Sequence, residues 1–387
     1  MEGIKKVSFD DGDKLNSLKN RFNKKELTSK DINGYLMHKD EEVAKIVNGE
    51  LNIINERMIP TFFKLGNDLE FWLENRCIDM HRRNSRLVRK MLSIRTTNKI
   101  ETVLIVHAHT LTDNYWIRLS NEPNLKYKDV QYSNDLLFDT ALDGDTSIYD
   151  ELISNSENVI NTPELTLTGS FEKGWKIIDG SWYLIKSGDH LNNSAELIAS
   201  KLCSELNFSH VPYNKYNSNC VICENFTKDL KYDFEPMFDF TKDDDNLEEC
   251  YDTVKIINSN FCQDYLNMIF LDALMLNIDR HTNNFGFLRD SDTGEFISLA
   301  PIFDNNLALF STRNKNNTNL NSGNNPMLNK FYIPFLKEKN YIVPKLEYDK
   351  LKSIVAYALS EFPTDDYDEE FTTNFIWNTY NHLKKNI

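Results

Sequence analysis

The chain has 387 residues, 40% hydrophobic and 12% aromatic, enough apolar side chain for two or more cores at roughly 100–200 residues per domain, so disorder of the whole is excluded. Its formal net charge of −15 argues against broad nucleic-acid binding, because phosphate backbones are held through cationic surface. No apolar run approaches the roughly 20 residues of a membrane span, and Met1-Glu2-Gly3-Ile4-Lys5-Lys6 leads into polar sequence, not a secretory signal, so a cytoplasmic protein is expected.

Residues 1–155 read as an N-terminal α/β accessory domain. Positions 13 to 47 are densely charged and expected to be helical. After Pro60, the spacing of Phe62, Leu65, Leu69, Trp72 and Leu73 predicts an amphipathic helix continuing towards Leu92. On it Arg82, Arg86, Arg89 and Lys90 would share a face. Such a stripe fits an acidic partner, RNA or a phosphorylated group, but a solvated face balanced by acidic neighbours is the commoner outcome. Lys99 to His107 is expected as a strand, with His107 and His109 on one face. With no third ligand in view, a structural role for this pair is preferred to a metal site. Asp113 to Ile117 lies near another strand, and Tyr127 to Asp145 shows no clear period.

Residues 156–227 carry the pattern of a small β lobe. Leu165-Thr166-Leu167-Thr168 is expected as a strand, Gly169-Ser170-Phe171-Glu172-Lys173-Gly174 as a loop, and Trp175 to Ile178 as a second strand. Asp179-Gly180 supplies a two-residue type I′ turn into a third, Ser181 to Lys186. Alternation puts Lys186 on the face of Trp182 and Leu184. A lone lysine at a strand end is most often solvated; following a glycine-containing loop, it is also where a triphosphate would be clamped. A helix is then predicted, with Asn193 or Ser194 as N-cap and Glu196 in its first turn. Two readings of Glu196 stand side by side: an acid favoured by the helix dipole, or the partner that aims Lys186. Cys220 to Phe226 reads as a strand leaving the lobe.

Residues 228–387 are predicted to form an α-rich large lobe. The acidic runs Asp243-Asp244-Asp245 and Asp365-Asp366 read as solvated surface. Phe261, Tyr265, Met268, Ile269, Asp272, Met275 and Leu276 have helical spacing, so a buried helix would deliver the loop Asp279-Arg280-His281-Thr282-Asn283-Asn284. Phe285 to Leu288 and Glu295 to Phe303 form a predicted hairpin across the turn Asp290-Ser291-Asp292-Thr293-Gly294, which returns the chain to Asp304 beside that loop. The stretch 311–326 is rich in asparagine and expected to be mobile, with Ser311, Thr312 and Thr318 as exposed hydroxyls. Leu346 to Phe362 and Phe371 to Lys385 complete the lobe as helices.

The loop and the returning aspartate have a chemical reading. Phosphoryl transfer from ATP needs a carboxylate beside the attacking hydroxyl, and an amide oxygen and a second carboxylate to hold Mg²⁺. Asp279 and Asn284 stand five positions apart, the Asp-to-Asn interval of a protein-kinase catalytic loop, with Asp304 left for the metal. Taken singly, Asp279 is better explained as a local cap. The order of the parts is harder to explain so: glycine-containing loop, lysine on a strand, helix with an early glutamate, connector, Asp-x₄-Asn loop, aspartate.

In that order and in these motifs, roughly residues 160 to 385 resemble the HipA-like serine/threonine kinases, including the shorter CtkA type. Asp279-Arg280-His281-x-x-Asn284 is also similar to the catalytic loop of phosphoinositide 3- and 4-kinases. The resemblance implies an α+β, two-lobed protein-kinase-like fold, with a small antiparallel β lobe and an α-rich large lobe. It implies Asp279 as catalytic base, Asn284 and Asp304 as Mg²⁺ ligands and Lys186 as the phosphate clamp. Gly169, Ser170, Phe171, Lys173 and Gly174 would cover ATP, and Glu196 would pair with Lys186. Glu224, Asn225 and Phe226 would receive adenine, and His281 would brace the loop from behind. Thr166 stands where a self-phosphorylated serine lies in HipA, so self-phosphorylation, a toxin role and an antitoxin-type protein partner also belong to what is implied. A protein with serine or threonine acceptors would be the substrate. A lipid or small-molecule kinase, or a non-catalytic nucleotide-binding module, would account for the same residues.

Six cysteines include Cys220-x-x-Cys223, but no second such pair completes four zinc ligands, and the apolar surroundings of Cys203, Cys223 and Cys262 predict reduced thiols in a core.

Overall fold

The computed structural model describes residues 27–149, 161–309, 325–365 and 367–387. The chain divides into two compact units. The first comprises residues 1–59, 66–110 and 114–170, the second residues 60–65, 111–113 and 171–387.

In the first unit, β1 (Gly34–His38), β2 (Glu41–Val47) and β3 (Glu50–Ile53) make an antiparallel meander, and β4 (Tyr115–Leu119) joins the free edge of β1 to give the order β3-β2-β1-β4. The helix expected over 13 to 47 is therefore replaced by strands within its described part. Val43, Ala44 and Ile46 are buried while Glu41, Lys45 and Val47 are exposed, and Lys39 at φ 51° turns the hairpin. High charge density masked this half-buried pattern.

The helix expected from Phe62 to Leu92 is broken into short helices at Thr61–Lys64, Leu69–Asn75 and Ser85–Met91. The strand expected at Lys99 to His107 is a helix, Lys99–Leu104. Asn98 caps it by accepting the Glu101 N–H at 2.8 Å, and Ile100, Val103 and Leu104 are buried at helical spacing. His107 and Ala108 follow with φ near 56°, so the two histidines do not share a strand face. His109 is fully buried, stacked on Tyr132 at 4.9 Å. Among the described residues no group of three or more His, Cys, Asp or Glu could hold a metal ion.

The arginine stripe is a solvated face only in part, with Arg86 and Lys90 exposed. Arg82 is buried and donates to the carbonyls of Leu167 (2.7 Å), Thr168 (3.0 Å) and Gly169 (2.7 Å), and Arg89 donates to Thr96 O at 3.0 Å. The segment that Arg82 holds is not the expected strand. Pro163–Thr166 is a 3₁₀ helix with proline in its first turn, where a missing N–H costs nothing, and the Thr166 hydroxyl is buried, donating to Pro163 O at 3.2 Å.

The second unit is α+β and two-lobed. Its small sheet has the antiparallel order β5-β6-β8-β7, from β5 (Lys173–Ile178), β6 (Ser181–Ser187), β7 (Asn214–Lys215) and β8 (Cys220–Glu224). Lys173 and Gly174, expected in the loop, belong to β5, and Lys173 stands opposite Lys186. Asp179 and Gly180 take φ of 50° and 86°, as a type I′ turn requires.

A long helix, α1 (His190–Leu206), follows. Its N-cap is Asp189, which accepts the Asn192 N–H at 2.7 Å, not Asn193 or Ser194, and Glu196 falls in the second turn. The α-rich lobe contains α2 (Leu247–Asn258), α3 (Cys262–Met275), α4 (Tyr348–Glu361) and α5 (Glu369–Asn386). A second antiparallel sheet, β11-β10-β9, is built from β9 (Tyr232–Pro236), β10 (Gly286–Asp290) and β11 (Phe296–Leu299). One core runs through this unit, gathering Ile198, Leu202, Phe270, Leu274, Leu351, Val355, Ile376 and Tyr380. All six cysteines are buried and free. Asp243, Asp244, Asp245 and Asp365 are exposed. Of the asparagine-rich stretch 311–326, residues 311–324 lie outside the described residues, with Ser311, Thr312 and Thr318, as does Asp366. Among the described residues no helix is long and apolar enough to cross a membrane.

Candidate active site

The second unit brings Lys186 to the end of β6 with its side chain only 6% exposed. Its ammonium meets Glu196 Oε2 at 3.2 Å and also donates to Asp304 Oδ1. Burial opposes the charge on Lys186, but Asp304 and Glu196 outweigh it and raise the lysine above its ordinary range. Burial likewise pushes the Asp304 carboxyl up, while Lys186, then Lys173, pull it down to about 2. For Glu196, which is fully buried, burial prevails and the carboxyl sits above its ordinary value despite Lys186. The dipole reading of Glu196 is unnecessary: the carboxylate is spent on Lys186 and on the Asn305 N–H, which lies 3.0 Å from Oε1 and 3.2 Å from Oε2.

Asp279 is delivered as the spacing predicts. α3 ends where Leu276 turns left-handed at φ 49°, and Asn277 folds back to give its Nδ2 to Asp272 Oδ1 at 3.0 Å and to accept the Asp279 N–H at 3.1 Å. Asp279 is half-buried, and burial raises its carboxyl, as does the nearby charge of Asp304. Asn284 is buried and donates Nδ2 to Asp279 O at 3.0 Å, closing the loop on itself.

The hairpin of β10 and β11 then returns the chain to Asp304, which takes the left-handed conformation at φ 59°. Gly286 permits the first step of that return. A Cβ there would lie 2.2 Å from Glu235 O, so only glycine lets β10 close on β9 immediately after Asn284.

The connector residues have separate tasks. Glu224 is exposed and pairs with Lys228 at 3.5 Å; Asn225 is buried, giving its amide to Leu111 O at 2.8 Å. Phe226 stacks on Phe303, next to Asp304, with ring centres 5.1 Å apart. Gly169 and Ser170 belong to the first unit and Phe171 opens the second, so the expected glycine loop straddles the division. His281 is exposed and accepts the Asn283 N–H at 3.3 Å.

The brace expected of His281 is supplied by Arg280. Its guanidinium reaches Asp272, Asn284 O, Phe303 O and Asn305. Sequence reasoning passed over this residue, although the signal was there: Asp272 is the one carboxylate among the buried, largely apolar positions of α3, and a carboxylate so placed requires a cation.

No protein-family model matches the sequence, and no curated protein does. Solved structures do resemble it, among them the following two. The Helicobacter pylori proinflammatory kinase CtkA is 21% identical over 56% of this chain and 90% of its own, with a TM-score of 0.43. A chain of the Shewanella oneidensis MR-1 toxin–antitoxin complex of HipA, HipB and operator DNA is 11% identical over 91% of this chain and 97% of its own, with a TM-score of 0.50. The fold shared with the second is kinase-like, with a small antiparallel β lobe and an α-helical lobe.

Proposed function

We propose that the second unit is an ATP-dependent kinase that transfers the γ-phosphoryl group to a serine or threonine hydroxyl of a protein. The observation that carries this reading is the Lys186 ammonium held between Glu196 and Asp304, with the Asp279–Asn284 loop tied to the Asp304 segment through Arg280. A lysine–glutamate pair beside an aspartate is the arrangement that kinases require for the ATP phosphates and Mg²⁺.

The donors fit such a metal. Mg²⁺ takes hard oxygen ligands, usually one or two carboxylates together with substrate phosphates, and Asp304 offers the carboxylate. Asn284 spends its amide nitrogen on Asp279 O, which leaves its oxygen for an electropositive partner. Bound there, Mg²⁺ would neutralise charge on the transferring phosphoryl group. Lys186 and Lys173 supply fixed positive charge around Asp304. Asp279 would orient the acceptor hydroxyl and take its proton, a task for which a carboxyl raised by burial is better suited than an exposed one.

The test is transfer of labelled γ-phosphate from Mg²⁺-ATP to proteins of a whole-cell extract, by the parent, Asp279→Asn and Asp304→Asn. Both substitutions are expected to abolish transfer, and Asp304→Asn to weaken metal-dependent nucleotide binding as well. Label in lipid or metabolite but never in protein, or equal activity in all three, would overturn the reading.

A further inference from the structure

Asp272 and Arg280 form an ion pair inside the α-rich lobe, with side chains 1% and 5% exposed. Arg280 Nε donates to Asp272 Oδ2 at 2.9 Å and Nη2 to Oδ1 at 3.0 Å, a two-pronged contact that fixes the plane of the guanidinium. Its other donors all go to the two loops of the candidate site. Nη1 reaches Asn284 O at 2.9 Å and Phe303 O at 2.7 Å, and Nη2 also reaches Asn305 Oδ1 at 2.7 Å. A guanidinium has five N–H donors in a rigid fork, and these five contacts account for them.

Phe303 and Asn305 flank Asp304, so the same planar cation holds the residue on each side of that aspartate and the backbone of Asn284. From Asn305 the connection continues: its N–H is bound by Glu196, and Asn192 Nδ2 holds Asn306 O at 2.8 Å. A continuous run of bonds thus joins Lys186, Glu196, Asn305, Arg280 and Asp272.

We infer that Arg280, its plane set by Asp272, is the positioning residue that fixes the distance between the Asp279–Asn284 loop and Asp304. It touches no reacting atom. The inference rests on the kinase reading and adds a residue pair to it. A lysine at position 280 would keep the charge, but its single ammonium has three donors on a flexible stem and cannot hold this set of acceptors in one plane. Displacement of a reacting group by about 1 Å costs roughly 100-fold in rate.

The experiment compares steady-state phosphotransfer from Mg²⁺-ATP by the full chain with that of Arg280→Lys, Asn305→Leu and the double variant Asp272→Leu/Arg280→Met, each checked by thermal unfolding. The double variant replaces a buried ion pair with apolar side chains, which often restores stability. Expected are turnover losses of about 100-fold in all three, with the KM for ATP within about threefold of the parent, including in the double variant at parent-like stability. A merely structural pair would regain turnover together with stability. Should the double variant not fold, Asn305→Leu, which leaves the ion pair intact, decides alone. An active parent whose Arg280→Lys and Asn305→Leu forms retain turnover within about threefold overturns this inference and leaves the kinase reading standing. A parent that labels no protein at all overturns that reading, and the role of Arg280 with it.

Discussion

Replacing Lys186 with methionine removes the one ammonium between two carboxylates while nearly conserving side-chain volume. Breaking a buried ion pair by deleting one partner costs ~3–5 kcal/mol, because the remaining charge is left in a medium that cannot solvate it. The side chain of Glu196 is 1% exposed and therefore carries most of this cost, whereas that of Asp304 is 23% exposed and can turn to water. Glu196 retains its hydrogen bonds from the Asn305 N–H, which places the expected loss at the lower end, about 3 kcal/mol, or ~6–12 °C in Tm. The double variant Lys186→Met/Glu196→Gln presents a neutral amide of the same shape and should recover to within ~1 kcal/mol of the parent. Urea unfolding at pH 7, followed by tryptophan fluorescence, reads the effect where it arises, since Trp175 and Trp182 are buried in the same sheet as Lys186. A loss below ~1 kcal/mol for Lys186→Met, or a double variant no more stable than the single, would refute the claim that the pair compensates buried charge.

Two further outcomes concern the fold. Burial, reinforced by Arg76, pushes the His109 imidazole down from 6.5 to about 3, so the unfolded chain takes up this proton first as pH falls, and stability is lost below pH 6.5. Between pH 7 and pH 5 that loss is about 2 kcal/mol, and His109→Phe, which keeps the stacking on Tyr132, should show a correspondingly flatter pH dependence in urea unfolding; an identical slope would remove the assignment. Gly286→Ala drives a methyl group into the backbone of Glu235 and should destabilise the second unit by about 3 kcal/mol or more, detected as lost amide-exchange protection in β9 and β10. Unchanged protection there would show that the close approach is not required.

The parts of the candidate site that were legible in the sequence are those fixed by local chemistry. Asp179-Gly180 admits one tight hairpin, and that hairpin sets the register that carries Lys186 to its place. The apolar period of α3 and the hairpin after Asn284 bring Asp279 and Asp304 together by short-range steps. The N-terminal region was less legible because its elements are short and half-buried, and their register comes from distant partners: β1 pairs with β4 across some eighty residues. Thr166 was misplaced for a related reason. An alternating Leu-Thr run has strand propensity, but Pro163 and the capture of the following carbonyls by Arg82 favour a 3₁₀ turn. Arg280 was missed because its meaning depends on acceptors at Asp272, Asn284, Phe303 and Asn305, which the fold and not the spacing brings around one guanidinium.

The left-handed backbone at Asp304 limits which amino acids can occupy that position at all. A side chain with a Cβ is strained there, and asparagine and aspartate tolerate it best, because a short polar group can bond locally. In a saturation library at this codon, Asn should therefore meet the backbone requirement as the parent does while losing the negative charge that faces Lys186, and Val or Ile should fail for conformational reasons before chemistry is considered. Asn, not Ala, is the substitution that isolates the electrostatic contribution of this residue.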